Sequence, residues 1–410
     1  MKVWITQIGE ILPLTPEVRK MRTGYLAEHL QERGHEVTWW AAAFDHMSKK
    51  KLFSQDTEIT IRPGLRIKAV SSPGYRKNVA LSRYLDHMLL ARRMRSCFLT
   101  EDPPDFIIAS LPDHWTAYEA VIYGSSRKIP VLVDVRDQWP DVFSHFFPFY
   151  LRPLARAALV SDYRKVSRLL KKATGIVSMM DELLVWALKK AGRQGTWRDR
   201  VFYIGARQNN WADEEPISSR FRELASRLNG RCVFTFIGTM GSYYNPLILA
   251  EAAASLKDND KLFFIIAGDG VYFDKVKRTV GDGANVFLPG WISDRDIRYL
   301  LSISHVGVIP CAERIDAFPN KAFTYLSAGL PLLSSVGGEL EVLIERERLG
   351  FTYPVGDRTA LAEMIVKLAE DGEARRQMAA NARRIFMERY EADKIYGDFV
   401  SHIEGIAKHP

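Results

Sequence analysis

Three short segments of this chain have the composition of backbone phosphate holders: Gly238-Thr239-Met240-Gly241, Gly268-Asp269-Gly270 and Pro289-Gly290-Trp291. Each follows an apolar run that reads as a strand. A glycine there lets a ligand approach the backbone closely, and amides at the next helix start favour an anion. Three such turns in succession point to a nucleotide site. No Gly-x-x-x-x-Gly-Lys-Ser/Thr occurs, and no Gly-x-Gly-x-x-Gly follows the first strand, which excludes a P-loop enzyme and argues against a dinucleotide dehydrogenase. A denser segment lies downstream, running from Asp316 through Phe318-Pro319-Asn320-Lys321 and Thr324 to Gly329-Leu330-Pro331.

Alternating strands and helices must position these residues. Val3–Thr6 reads as a buried strand, 21–31 as a helix ended by Gly34, and Glu36–Trp40 as the next strand. Residues 105–110, 129–134, 175–179 and 201–204 continue the series, with a basic helix over 79–99. A polar, acidic stretch at 209–219 separates this half from a second. There 232–238, 261–268, 285–288, 305–310 and 331–334 read as strands, and the chain is helical from Leu361 onward. The pattern predicts an α/β protein of two Rossmann-like, doubly wound parallel-sheet domains facing a central cleft. Expected boundaries are 1–205 for an acceptor-binding domain, 206–230 for a linker and 231–390 for a donor-binding domain. Residues 391–410 are expected to form a helix crossing back to the first domain.

The segment Asp316–Pro331 resembles the donor-site motif of retaining glycosyltransferase family 4, "P-x-K-x-x-E-Y-L-x-x-G-x-P", whose members have the GT-B fold. Arg33-Gly34-His35-Glu36-Val37, Ala267-Gly268-Asp269-Gly270 and Leu288-Pro289-Gly290-Trp291 are similar to family features in the same order. Arg136-Asp137-Gln138-Trp139-Pro140 resembles a branch that builds bacterial capsule, O-antigen and exopolysaccharide. The resemblance implies transfer of a hexosyl or N-acetylhexosaminyl group from a nucleotide sugar, a UDP-sugar by family frequency, without a metal ion or other cofactor. It places Asp316 on the donor-sugar hydroxyls and Lys321 on the leaving diphosphate. Gly238, Thr239, Met240, Gly268, Asp269, Gly270, Trp291, Ile292, Phe318, Pro319 and Asn320 become donor-site residues, with Trp291 and Ile292 beside the base. The family carries a second acid separated from the first by seven residues. Here Thr324 stands in its place, a neutral and weaker ribose partner. The Arg/Lys pair common after the first strand of the second domain is also missing from 238–244. In the first domain the resemblance implies His114 at a strand end facing the reacting sugar. Glu10, Thr23, Gly24, Asp113, Arg136 and Asp137 are candidates for the acceptor or the cleft; Arg136 and Asp137 could equally pair and shape their loop.

Composition agrees with a two-domain enzyme. The chain has 410 residues, 47% hydrophobic and 26% charged, with three widely spaced cysteines and no Cys-x-x-Cys. No stretch approaches the length of a membrane span, so a cytoplasmic enzyme is expected, at most peripheral on the inner face of the cell membrane. The net charge of +8 is uneven: residues 1–200 hold 32 Lys and Arg against 21 Asp and Glu, whereas the rest is slightly acidic. No zinc-finger or RNA-binding signature accompanies the basic half, which leaves no case for nucleic acid. Within it, Phe143, Phe146, Phe147, Phe149 and Tyr150 precede a run of Arg and Lys from 152 to 172, a pattern suited to an anionic membrane and a lipid-linked saccharide acceptor. Two alternatives stand: a sugar-nucleotide epimerase of GT-B fold, and a catalytically silent GT-B binding protein.

Overall fold

A computed structural model describes the chain apart from residues 16, 17, 19, 209–218, 229, 242, 282, 284 and 410. The chain divides into two compact units, Met1–Tyr203 with Asp393–Pro410, and Ile204–Ala392. The acidic stretch expected at 209–219 lies, up to residue 218, outside the described residues.

Unit 1 runs β1 (Lys2–Thr6), α1 (Arg22–Glu32), β2 (Glu36–Ala42), a small hairpin β3 (Phe44–Asp45) and β4 (Lys50–Lys51), then β5 (Thr57–Arg62), β6 (Leu65–Val70) and α2 (Leu81–Thr100). It continues through β7 (Phe106–Leu111), α3 (His114–Arg127), β8 (Val131–Val135), α4 (Arg152–Ala158), α5 (Val160–Lys172), β9 (Gly175–Ser178), α6 (Asp181–Ala191) and β10 (Arg200–Val201). The main sheet has the order β10-β9-β8-β7-β1-β2-β6-β5. Its inner strands are continuous apolar runs because helices cover both faces. Trp4 of β1 centres one layer, its ring 5.2–5.3 Å from those of Trp40, Phe98 and Tyr123.

The sheet is not wholly parallel as expected. β5 runs antiparallel to β6 at the edge, joined by a turn whose Gly64 has φ +81°. The segment Thr-Glu-Ile-Thr-Ile-Arg alternates polar and apolar, as a strand with one wet face must, and does not read as a buried run. The strand expected at 201–204 is only Arg200–Val201.

Unit 2 contains α7 (Ser219–Arg227), β11 (Cys232–Ile237), α8 (Leu247–Ser255), β12 (Leu262–Ala267), α9 (Phe273–Val280), β13 (Val286–Gly290), α10 (Asp294–Ser302) and β14 (Val306–Ile309). α11 (Asn320–Ser327), β15 (Leu332–Ser334), α12 (Glu339–Glu347), β16 (Gly350–Thr352), α13 (Arg358–Glu370) and α14 (Gly372–Ile385) follow. Its six strands are all parallel, in the order β13-β12-β11-β14-β15-β16. The expected linker 206–230 is shorter than read: α7 buries Phe221 and Leu224 against Val233, Phe263 and Tyr299. A final helix, α15 (Ala392–Lys408), belongs to unit 1 from Asp393 onward. There Phe399 stacks on Phe202 at 4.3 Å and Tyr396 on Tyr25 at 5.3 Å. Among the described residues no helix is long and apolar enough to cross a membrane.

Candidate active site

The glycine turns of unit 2 all lie at the carboxyl ends of adjacent strands, where open parallel sheets bind ligands. Backbone bonds lock them together. Gly238 donates its N–H to the Ala267 carbonyl at 3.0 Å, Met240 to Asp269 at 2.9 Å, and Gly268 to Gly290 at 2.9 Å. The glycines are needed for this packing itself. Gly268 has φ +132°, and a Cβ there would lie 1.9 Å from the Gly238 carbonyl oxygen. Gly270, at φ +141°, faces the Met240 carbonyl in the same way. The loops therefore form one stiff backbone shelf.

Lys321 reaches this shelf from the first turn of α11. Its ammonium lies 4.1 Å from the centre of the Tyr244 ring and 5.3 Å from that of Phe236, beside Gly238. A Cβ on Gly238 would stand 1.8 Å from the ammonium nitrogen, so this glycine makes room for the lysine. A cation in the first turn opposes the helix dipole, and the ring faces of Tyr244 and Phe236 offset that cost. Lys321 is thus half-buried against two rings and is not a solvated surface lysine. α11 is fixed by Tyr325, whose buried hydroxyl accepts the Ile237 N–H at 3.0 Å and thereby ends β11 against the helix. Burial pushes the Tyr244 phenol up to about 12, so it stays neutral.

Asp316 is exposed and pairs by backbone with Gly337, just before α12, whose Gly338 has φ +68°. The Gly337 N–H donates to the Ile315 carbonyl at 2.9 Å. Arg314, 3.9 Å from Asp316, also bonds Glu341 at 2.9 Å. Trp291 is 76% exposed at the end of β13, not packed in a core, and Asp269 and Asn320 are likewise at the surface. Thr239 is exposed on the first turn and Pro319 caps α11.

Several donor-site expectations fail on burial. Ile292 packs with Phe221, Tyr299 and Leu300 in the core, Phe318 stacks on Phe323 at 4.6 Å and meets Tyr390 at a tilt, and the Met240 side chain is buried. These three hold the loops from behind. The Thr324 hydroxyl donates to the Asn320 carbonyl at 3.2 Å, one turn back, which leaves only its lone pairs for a ribose. Two Asp-x-Asp triplets exist, 258–260 and 294–296. Asp296 closes the capping box of α10 with Ser293, and among the described residues no three His, Cys, Asp or Glu converge as metal ligands.

In unit 1 the candidates form two buried networks. Glu10 accepts the Thr23 N–H at 3.0 Å and the Thr23 hydroxyl at 2.9 Å, and pairs with Arg136. Arg136 also pairs with Asp134 at 2.8 Å, and Arg22 bonds Asp134 at 2.8–3.2 Å and the Phe202 carbonyl at 2.5 Å. Burial alone would raise the Asp134 carboxyl, but the two guanidinium groups outweigh it and hold it below the carboxylate range. The start of α1, with the acceptor or cleft candidates Thr23 and Gly24, thus already carries the carboxylate of Glu10. Arg136 pairs with Glu10 and Asp134, not Asp137, which is exposed and accepts the Gln138 N–H. Asp134 and Arg22 escaped sequence reading, although a carboxylate inside the apolar strand Val-Leu-Val-Asp-Val must have a buried cation.

The second network corrects the roles of Asp113 and His114. Asp113 caps α3, accepting the N–H groups of Trp115 and Thr116. His114 is 1% exposed, its Nε2 2.7 Å from Asp162, which also accepts the Tyr84 hydroxyl at 3.1 Å. As the first residue of α3 its ring turns inward, under the helix, instead of outward to a sugar.

Residues 221–385 match the family described as Glycosyl transferases group 1. The chain is 24% identical over 317 residues to O-antigen chain mannosyltransferase C of Escherichia coli, covering 70% of this chain and 83% of that protein. It is 29% identical over 147 residues to the UDP-Gal:alpha-D-GlcNAc-diphosphoundecaprenol alpha-1,3-galactosyltransferase of Escherichia coli, about a third of each chain (34% and 37%). Among solved structures, Anabaena Alr3699/HepE in complex with UDP superposes with a TM-score of 0.68 at 15% identity, over 99% of this chain and 100% of that one. Sucrose-phosphate synthase from Thermosynechococcus elongatus gives 0.70 at 13% identity over the whole of both chains. Residues 221–385 are a glycosyl transferases group 1 domain, and the chain is a GT-B glycosyltransferase resembling the enzymes of bacterial surface polysaccharides.

Proposed function

We propose that this protein is a retaining, metal-independent glycosyltransferase of family 4. In this reading it moves a hexosyl or N-acetylhexosaminyl group from a UDP-sugar to a lipid-linked saccharide, with residues 143–172 making peripheral contact at the inner face of the cell membrane. The observation that carries the reading is the Lys321 ammonium held on the Gly238 turn by the rings of Tyr244 and Phe236. Breaking the bond between the anomeric carbon and the diphosphate leaves the electron pair on the departing oxygen while the acceptor oxygen bonds the sugar. A preorganised cation gains most from the charge that grows on that oxygen. The exposed Asp316 carboxylate accepts hydrogen bonds from donor-sugar hydroxyls, and exposed Trp291 covers the base. Names of relatives support the donor and acceptor classes, since HepE was solved with UDP and one relative acts on a diphosphoundecaprenol saccharide.

The test incubates the purified protein with UDP- and GDP-sugars, with and without a lipid-linked acceptor, and follows nucleoside diphosphate release and the anomeric configuration of the product. Release that depends on acceptor, with retention, is expected. Asp316→Asn should lower transfer more than about tenfold, over 1.4 kcal/mol in barrier, with the fold intact. Binding without turnover would favour the silent GT-B module, which the internally committed Thr324 hydroxyl also fits. Release of free nucleotide and an inverted epimer at another sugar carbon would favour the epimerase.

A further inference from the structure

Three loops at the carboxyl edge of the unit 1 sheet leave large apolar side chains on the surface. After β2, Met47 is 66% exposed; after β6, Leu81 at the start of α2 is 73% exposed; after β8, Phe149 is 78% exposed, with Tyr150 and Leu154 close behind. α4 buries none of its residues. Soluble proteins seldom display apolar groups of this size together unless the surface has a partner.

The three loops are seated on one line of ring contacts. Phe44 of the hairpin lies 4.9 Å from Tyr75, Tyr75 lies 5.7 Å from His87 of α2, His87 stacks on Trp139 at 6.0 Å, and Trp139 meets Phe143 at 4.5 Å. The Tyr84 hydroxyl, bonded to Asp162, further ties the start of α2 to the start of α5. Segments distant in sequence are therefore packed together.

Their charge has a single sign. Residues 46–52, 76–85 and 147–161 contain eight Lys and Arg and no Asp or Glu. Of the acids on adjoining turns, Asp86 and Asp162 are buried, Asp45 accepts the Met47 and Ser48 N–H groups, Asp56 pairs with Arg93, and Asp137 alone of these is exposed without an ion pair among the described residues. Two such faces repel each other, which disfavours a second copy as the partner. Aromatic and aliphatic side chains amid cations match the headgroup layer of an anionic bilayer.

We infer that the hairpin β3–β4, the start of α2 and the 147–161 segment form one platform that lies on an anionic lipid bilayer. The inference rests on the acceptor reading above and extends it. Docking requires all three loops, not the 143–172 segment alone, and it turns the carboxyl edge of the sheet toward acceptors carried in that bilayer.

The test sediments the full chain with phosphatidylcholine vesicles, with or without phosphatidylglycerol. Wild type should partition to the anionic vesicles and release in high salt. The pairs Met47→Ser/Lys50→Ser, Leu81→Ser/Leu85→Ser and Phe149→Ser/Leu154→Ser should each lower partitioning at least about tenfold with an unchanged melting temperature. Loss confined to the Phe149/Leu154 pair would overturn the platform in favour of a single docking segment. No loss in any pair, or equal binding to neutral vesicles, would overturn it outright. A wild-type dimer in sedimentation velocity that the substitutions dissociate would assign the face to a second copy instead. Transfer to a water-soluble saccharide acceptor should be unchanged in all three pairs. If wild type binds vesicles as expected but transfers no sugar, the enzymatic reading fails and the platform stands.

Discussion

Lys321 stands where a helix least welcomes a cation, and a glycine is kept opposite it to make space. Its removal should therefore cost catalysis more than stability. Lys321→Ala is expected to lower turnover by about two to three orders of magnitude at saturating donor, with a smaller loss of donor affinity. Lys321→Arg should not restore it, because the planar fork is wider than the space between Gly238 and the Tyr244 ring. Steady-state kinetics beside a melting curve decide this; near-normal turnover in a folded variant would leave the diphosphate to backbone amides alone. Gly268 makes the opposite case. Alanine there would combine φ +132° with a Cβ 1.9 Å from the Gly238 carbonyl, so Gly268→Ala should destabilise unit 2 by at least about 2 kcal/mol in urea unfolding.

At the scale of elements, the ladder Glu10–Arg136–Asp134–Arg22 joins the loop after β1, the start of α1 and the end of β8. Asp134→Asn would leave two buried guanidinium groups facing each other. A loss of about 3–5 kcal/mol follows, measurable by denaturant titration. The buried parallel strands and the glycine turns were legible in the sequence because an apolar run bounded by glycine has few other uses. β5 was not, because its alternating pattern belongs to an edge strand with one wet face. α7 hid in a polar stretch, although its Phe221 and Leu224 reach the core. Motif order placed Trp291 on the loop after β13 and Lys321 beyond β14, but it could not tell which neighbours point inward. Ile292 lies between exposed Trp291 and Ser293, and Phe318 two residues from exposed Asp316 and Asn320, yet both are core. His114, Asp113 and Glu10 were misleading for a different reason: each carries a group that the fold itself satisfies, and the partners, Asp162, the α3 amides and Arg136, come from elsewhere in the fold or from the next turn.

For the molecule as a whole, acid is the expected weakness. Burial, with Arg83 and Lys49 nearby, lowers His46 to about 4, and burial lowers His87 despite Asp113. Both imidazoles are neutral when folded and take a proton more readily when unfolded, so their contribution is complete above about pH 6.5 and is lost as pH falls from there toward 4. Seven of the nine tryptophans lie in unit 1, so intrinsic fluorescence reports chiefly on that unit. Its thermal midpoint should fall between pH 7 and pH 5, and His46→Gln should flatten that dependence. Removing residues 393–410 should lower the same midpoint by about 10 °C or more, since Phe202 and Tyr25 lose their stacking partners and Arg33 and His35 lose Glu404. That return of α15 also fixes an order of assembly during synthesis. The usual expectation is that the portion translated first folds first. Here the first 203 residues leave the ribosome without the helix that closes them, and the whole of unit 2 is made in the interval. The early unit must wait, its Phe202 and Tyr25 surfaces uncovered, while the later one completes itself. A stalled or prematurely terminated nascent chain would therefore release a finished second unit joined to an unfinished first, and chaperones would meet the exposed aromatic face at the beginning of the polypeptide.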